Sequence, residues 1–148
     1  MEIESLSGGC ACGAIRYKAA APPLFSFKCH CRDCQRMSGS GYMGVMWVPT
    51  ESIDISGVFE AHVLKAVSGR ELNRGFCAKC GSNVILRSTE VTQMTQIVAS
   101  SLDDPKLFQP TAELWTASAQ PWDLIDESLE VFETQPSDDQ VMQMLGIN

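Results

Sequence analysis

Three short cysteine clusters constrain this chain more than any other feature: Cys10 and Cys12 in GGCACG, Cys29, Cys31 and Cys34 in CHCRDC, and Cys77 and Cys80 in FCAKCGS. Thiols this close in sequence are poorly placed to bridge one another but well placed to point at one cation. An odd total of seven would also leave one sulfur over in any disulfide scheme. The most specific run is Cys77-Ala-Lys-Cys80-Gly81. In a zinc knuckle of this form the turn aims both sulfurs at one metal and backbone N–H groups donate to them. Glycine after the second ligand permits the left-handed backbone that follows.

Counting ligands divides the seven thiols into four and three. A structural zinc site is closed by four protein ligands, so Cys77 and Cys80 need two more, and Cys10 with Cys12 supply two without remainder. Cys29, Cys31 and Cys34 are left. Three protein ligands with one position open is the arrangement of catalytic zinc, which makes the middle cluster the candidate reactive centre. The expected cofactor is therefore Zn2+ at two sites, a closed four-cysteine site and an open three-cysteine site. His30 lies between two of the middle thiols; in an extended Cys-X-Cys its side chain points away from the metal, which suits a supporting role. His62 in AHVLKAV and Asp33 beside Cys34 are alternative fourth ligands, with plainer roles as a strand histidine and a helix-capping carboxylate.

The rest of the chain reads as one domain over residues 1–148, apolar enough at 45% hydrophobic to bury a core. Short runs rich in Val, Ile and aromatics, bounded by Gly, Pro, Asn or Asp, predict strands at 14–18, 42–48, 52–56, 62–67, 72–76, 83–87 and 94–99. In AIRYK, Ile15 and Tyr17 alternate with Arg16 and Lys18, as in a sheet with one wet face. The expected fold is mainly β, antiparallel, with two short helices. One follows Cys31 and stops at Gly39; the other, over 137–146, has Ser137 as N-cap and Gly146 beyond its end. The apolar residues Val141, Met142, Met144 and Leu145 suit docking of that terminal helix on the domain, with partner binding as the alternative.

A net charge of -7 and a pI near 4.7 oppose nucleic-acid phosphates and anionic lipid. No apolar stretch approaches the roughly 18 residues of a membrane span, and the first ten residues carry no secretory pattern. A soluble, cytoplasmic protein is expected. HExxH, P-loop and Rossmann patterns are absent. A Cys-His nucleophile pair using His30 is conceivable, but it has no need of two further thiols.

The order GGCACGAIRY, CHCRDCQRMSGS, RGFCAKCGS, SSLDDP and PWDLIDESLEVFE resembles the glutathione-dependent formaldehyde-activating enzyme (GFA) family, which also contains centromere protein V, over about residues 8–136. The resemblance implies a β-tent fold with two zinc ions. It implies a structural ion on Cys10, Cys12, Cys77 and Cys80, and a second on Cys29, Cys31 and Cys34. The implied activity joins formaldehyde to the thiol of glutathione, giving S-hydroxymethylglutathione, a carbon-sulfur lyase reaction written in reverse. One departure stands out: in AELW, Glu113 occupies the place where many relatives carry a histidine ahead of the late tryptophan. That substitution bears on glutathione specificity.

The expected function is therefore a zinc-dependent carbon-sulfur lyase or transferase acting on a small aldehyde and a thiol. A metal in the three-cysteine site could ionise an incoming thiol, activate water or polarise a carbonyl. Arg32 and Arg36 could clamp an anionic substrate or simply face water; Trp115 and Trp122 could line a pocket or belong to the core. Ser38, Gly39 and Ser40 suit a turn. The alternative is a non-catalytic binding or scaffolding module with two structural zincs; a zinc-ribbon nucleic-acid binder is disfavoured by the acidic balance.

Overall fold

The computed structural model of the chain describes residues 2–146. Among these residues the strands run, in chain order, as β1 (Leu6–Gly9), β2 (Arg16–Ala19), β3 (Phe25–Cys29), β4 (Met43–Pro49), β5 (Ile53–Ser56), β6 (Glu60–Lys65), β7 (Glu71–Phe76), β8 (Asn83–Ser88), β9 (Met94–Val98), β10 (Ala112–Leu114) and β11 (Glu130–Val131). Two α-helices, α1 (Arg32–Ser38) and α2 (Asp138–Met144), accompany them. The mainly β expectation holds, and every predicted strand is present to within about two residues at its ends.

β1, β2 and β5 form a three-stranded sheet, while the other eight strands form a second sheet in the order β11-β10-β3-β4-β9-β8-β7-β6. From β3 through to β6 the large sheet is antiparallel. The antiparallel expectation fails at one edge, where β10 lies parallel to both β3 and β11. Parallel neighbours need long connections rather than hairpins, so no tight turn joins β10 to β3 or β11.

The central strands of the large sheet are buried on both faces. In β4, Met46 and Val48 join an apolar cluster with Leu6, Ile15, Tyr17 and Ile53 of the small sheet. Met43 and Val45 join a second cluster on the opposite face with Phe25, Phe27, Leu86 and Leu114. A strand buried on both sides loses the apolar-polar alternation of a half-wet strand, which is why GVMWV reads as one apolar run. β1 escaped prediction because its sequence is LSGG. Its glycine is nonetheless required: a Cβ at Gly8 would strike the Ser101 carbonyl and the Tyr17 hydroxyl.

Both helices end as their sequences suggest. The Cys31 thiol caps α1, accepting the Cys34 N–H at 3.3 Å, and Gly39 closes it in the left-handed conformation at φ 66°. Ser137 and Gln140 form a reciprocal capping box at α2: the Gln140 N–H donates to Ser137 Oγ at 3.2 Å, and the Ser137 N–H donates to Gln140 Oε1 at 2.8 Å. Met144 and Leu145 then pack on the second apolar cluster, so the terminal helix is docked on the domain.

Candidate functional site

Two groups of thiols come together. Cys10 and Cys12 follow β1, Cys77 follows β7, and Cys80 sits in the turn before β8; the four sulfurs all lie within 4.8 Å of one another. Cys10 and Cys12 sulfurs are 3.6 Å apart, and those of Cys12 and Cys77 are 3.7 Å apart. A tetrahedron with metal-sulfur bonds of about 2.3 Å has edges of about 3.8 Å, whereas a disulfide needs about 2.05 Å. The set therefore fits a tetrahedral thiophilic cation.

Local donors reinforce that fit. The Ile15 N–H donates to Cys10 Sγ at 3.2 Å, and Ser82 Oγ lies 3.2 Å from Cys80 Sγ. The Ser82 contact, with backbone help from the same residue, lowers the Cys80 thiol to about 5. Gly13 and Gly81 take φ of 80° and 76° just after each hook, a conformation that glycine adopts without strain. Cys10 and Cys77 are buried while Cys12 and Cys80 reach the surface.

The second group is Cys29 at the end of β3, Cys31 at the cap of α1 and Cys34 in its first turn, again with all sulfurs within 4.8 Å. Thiol-thiol hydrogen bonding polarises the trio. Cys31 falls to about 3 because the Cys29 and Cys34 thiols donate to it. Cys29 rises to about 12, mainly through Cys31, and Cys34 lies far above the ordinary thiol range through Cys29 and Cys31. Three sulfurs within 4.8 Å of one another are placed for a cation, which would ionise them.

Among the described residues no fourth His, Cys, Asp or Glu atom joins this trio. Asp33 instead faces Arg74 at 3.8 Å, and His62 lies exposed on β6 opposite Arg74. His30 points away from the thiols into the protein. Its Nε2 bonds a carboxylate oxygen of Glu113, and both side chains are fully buried. Asp123 Oδ2 lies 3.0 Å from His30 Nδ1, but off the line of a hydrogen bond, so both atoms stay without one. Glu113 also accepts from Lys28 Nζ at 3.2 Å and from the Asp126 N–H at 3.0 Å.

Behind the trio the sheet is thus pinned by a buried polar knot; in front of it lies a cavity of about 150 Å³ walled by Phe25, Phe27, Val45, Trp47, Leu72 and Leu86. Cys29, Cys31 and Cys34 line its inner end, and Trp115 and the α2 residues Asp138 and Val141 also border it. Trp115 is held at φ 60°, a left-handed conformation costly for a bulky side chain, by about 1–3 kcal/mol.

Several sequence candidates fall elsewhere. Arg32 bonds Gln35 Oε1 and Arg36 is exposed, and neither lines the cavity. Trp122 is 70% exposed, so it is neither core nor pocket wall. Ser38, Gly39 and Ser40 form the turn that ends α1. Glu113, the departure before Trp115, lines no cavity near the thiols; its carboxylate is spent on Lys28, His30 and Asp126. The missed residues are the aromatic wall. Its signal was present in FSFKC, where Phe25, Phe27 and Cys29 alternate with Ser26 and Lys28 and so share one face.

A Halomonas elongata protein described as "Putative glutathione-dependent formaldehyde-activating enzyme" is 25% identical over 105 residues, which span 66% of each chain. The match thus covers just under two thirds of that relative's length. A crystal structure of a Rhodobacter sphaeroides protein shares the fold with a TM-score of 0.52 at 16% identity, covering 68% of this chain and 93% of that one. The family signature of the glutathione-dependent formaldehyde-activating enzymes runs through residues 5–118, and so includes all seven cysteines. The chain belongs to the glutathione-dependent formaldehyde-activating enzyme family.

Proposed function

We propose that this chain is a zinc-dependent carbon-sulfur lyase, joining a small aldehyde to a thiol in the synthetic direction. Cys10, Cys12, Cys77 and Cys80 would hold a structural ion, and Cys29, Cys31 and Cys34 would hold the ion at which substrate reacts. One observation carries the reading: three thiols within 4.8 Å of one another, joined by no fourth ligand among the described residues, line the inner end of a cavity. Zinc held there would lower the proton affinity of a thiol entering its fourth position and leave a nucleophile at neutral pH.

The chain's own groups do the rest. The aromatic wall keeps water from the sulfur that reacts, which preserves its nucleophilicity. α1 fixes Cys31 and Cys34 through the cap bond from Cys34 N–H, and Gln35 Nε2 ties that helix to the His30 carbonyl at 2.6 Å and the Ser118 carbonyl at 2.9 Å. These bonds hold the trio in register with β3. Seven unbridged thiols also support placement in a reducing compartment such as the cytoplasm.

The test is metal stoichiometry combined with turnover. Zinc-replete protein is expected to carry two ions per chain and to accelerate adduct formation between thiols and aldehydes, read by NMR. Two ions without acceleration for any thiol-aldehyde pair would favour the module with two structural zincs. Fewer than two ions would remove the reactive centre.

A further inference from the structure

The chemistry of the cavity wall says more about the substrate than the thiols do. Phe25, Phe27 and Val45 come from neighbouring strands, with Trp47, Leu72 and Leu86 completing the wall, and all face the same space. Among the described residues two charged side chains border it, Arg70 and Asp138, paired with each other at 3.4 Å near the solvent side, and Ser68, Ser88, Gln96 and Gln135 are its neutral polar members. No charge is left over for a ligand. The volume of the pocket, about 150 Å³, is that of a site able to accept a benzene-sized molecule.

A thiol that reaches the inner end with its sulfur must lay its carbon body along this wall. In a cysteinyl peptide such as glutathione, peptide groups flank the carbon next to the CH2–SH, so bringing sulfur to Cys29, Cys31 and Cys34 sets several N–H and C=O groups against a wall that is mostly hydrocarbon, with Gln96 its one polar member between Trp47 and Leu86. Polar groups buried without partners are disfavoured, whereas hydrocarbon at the same place gains from leaving water. Two carboxylates and an ammonium would find no free counter-charge on the wall.

We infer that the thiol accepted at this centre is an apolar one, with an aromatic or branched hydrocarbon body of about benzene size, rather than a charged cysteinyl peptide. The inference rests on the reading of Cys29, Cys31 and Cys34 as a thiol-activating centre. The reaction balances without an oxidant or reductant: a bond forms between the thiol sulfur and the aldehyde carbon, the C=O π bond breaks, and the thiol proton ends on the former carbonyl oxygen. The product is a hemithioacetal.

The full zinc-replete chain is tested with phenylmethanethiol and glutathione, each with formaldehyde and each at equal thiolate concentration. Rates above the uncatalysed background are read by NMR. Binding is read separately, without aldehyde, from tryptophan emission, since Trp47 and Trp115 border the cavity. Phenylmethanethiol is expected to exceed glutathione at least tenfold in kcat/KM and in affinity. Val67→Lys, at a half-exposed position on the rim, is expected to narrow that ratio by strengthening glutathione binding.

Glutathione equal to or better than phenylmethanethiol overturns the inference while leaving the proposed reaction standing. Binding of phenylmethanethiol without turnover upholds the apolar pocket and discards the aldehyde chemistry. No adduct and no emission change with either thiol overturns both.

Discussion

His30 and Glu113 bond to each other with neither side chain reaching solvent, on the opposite side of β3 from the cavity thiols. Because β10 lies parallel to β3 with Leu114 opposite Cys29, the contact holds the strand that delivers Cys29 against its edge neighbour. The knot is a positioning device. It also explains why a glutamate ahead of Trp115 does not line the cavity: Glu113 is committed to Lys28, His30 and the Asp126 N–H.

Glu113→Ala is therefore expected to destabilise the fold by about 3–5 kcal/mol in urea unfolding, since it strands buried polar partners. Glu113→Gln, which keeps an acceptor for the Asp126 N–H, should cost less. The double variant with His30→Ala is expected to lose less than the sum of the two single losses, because the side chains share one network. Additive losses would show that the contact carries no coupling.

Cys77→Ser and Cys34→Ser should part company. The first opens a closed set that ties β1 to the β7–β8 turn, so loss of one zinc equivalent should come with loss of cooperative unfolding. The second should leave the circular dichroism spectrum and melting transition near those of the parent while removing the second zinc and adduct formation. Parallel zinc and melting measurements on both variants check the division; identical melting behaviour would refute it.

Tyr17 supplies a pH signature far from the thiols of the cavity. Burial, opposed by its hydrogen bond with Ser101 Oγ, pushes the phenol up from 10.0 to about 12. A raised value means that the folded state binds the proton more tightly, so this stability is complete below pH 10 and is lost as pH rises through about 12. Its size is about 3 kcal/mol. Ultraviolet titration should show one late tyrosine, and Tyr17→Phe should flatten the decline of stability across that window.

Ser137→Ala removes half of the capping box at α2 and should cost about 1 kcal/mol locally. The helix is short and contributes only its Met144 and Leu145 side to the apolar cluster. Hydrogen exchange should therefore quicken within Asp138–Met144 while the global melting transition scarcely moves. An equal drop in global stability would mean that the helix unfolds only with the whole domain.

The sequence by itself determined what depends on neighbouring residues. Spacing within GGCACG, CHCRDC and FCAKCGS sets adjacent thiols facing one way, Cys31 and Gly39 bound α1, and Val-rich and Ile-rich runs between turn residues mark the strands. Counting ligands then pairs the hooks, and the structure brings Cys12 and Cys77 to 3.7 Å across 65 positions. Tertiary structure alone decided the rest: the parallel placement of β10, the burial of Glu113 against His30, the removal of Trp122 to solvent, and the aromatic chamber before Cys29, Cys31 and Cys34. The reason is physical. Local backbone geometry fixes where a side chain points relative to its neighbours in sequence, but which distant side chain it meets is set by sheet register and by which face each strand buries.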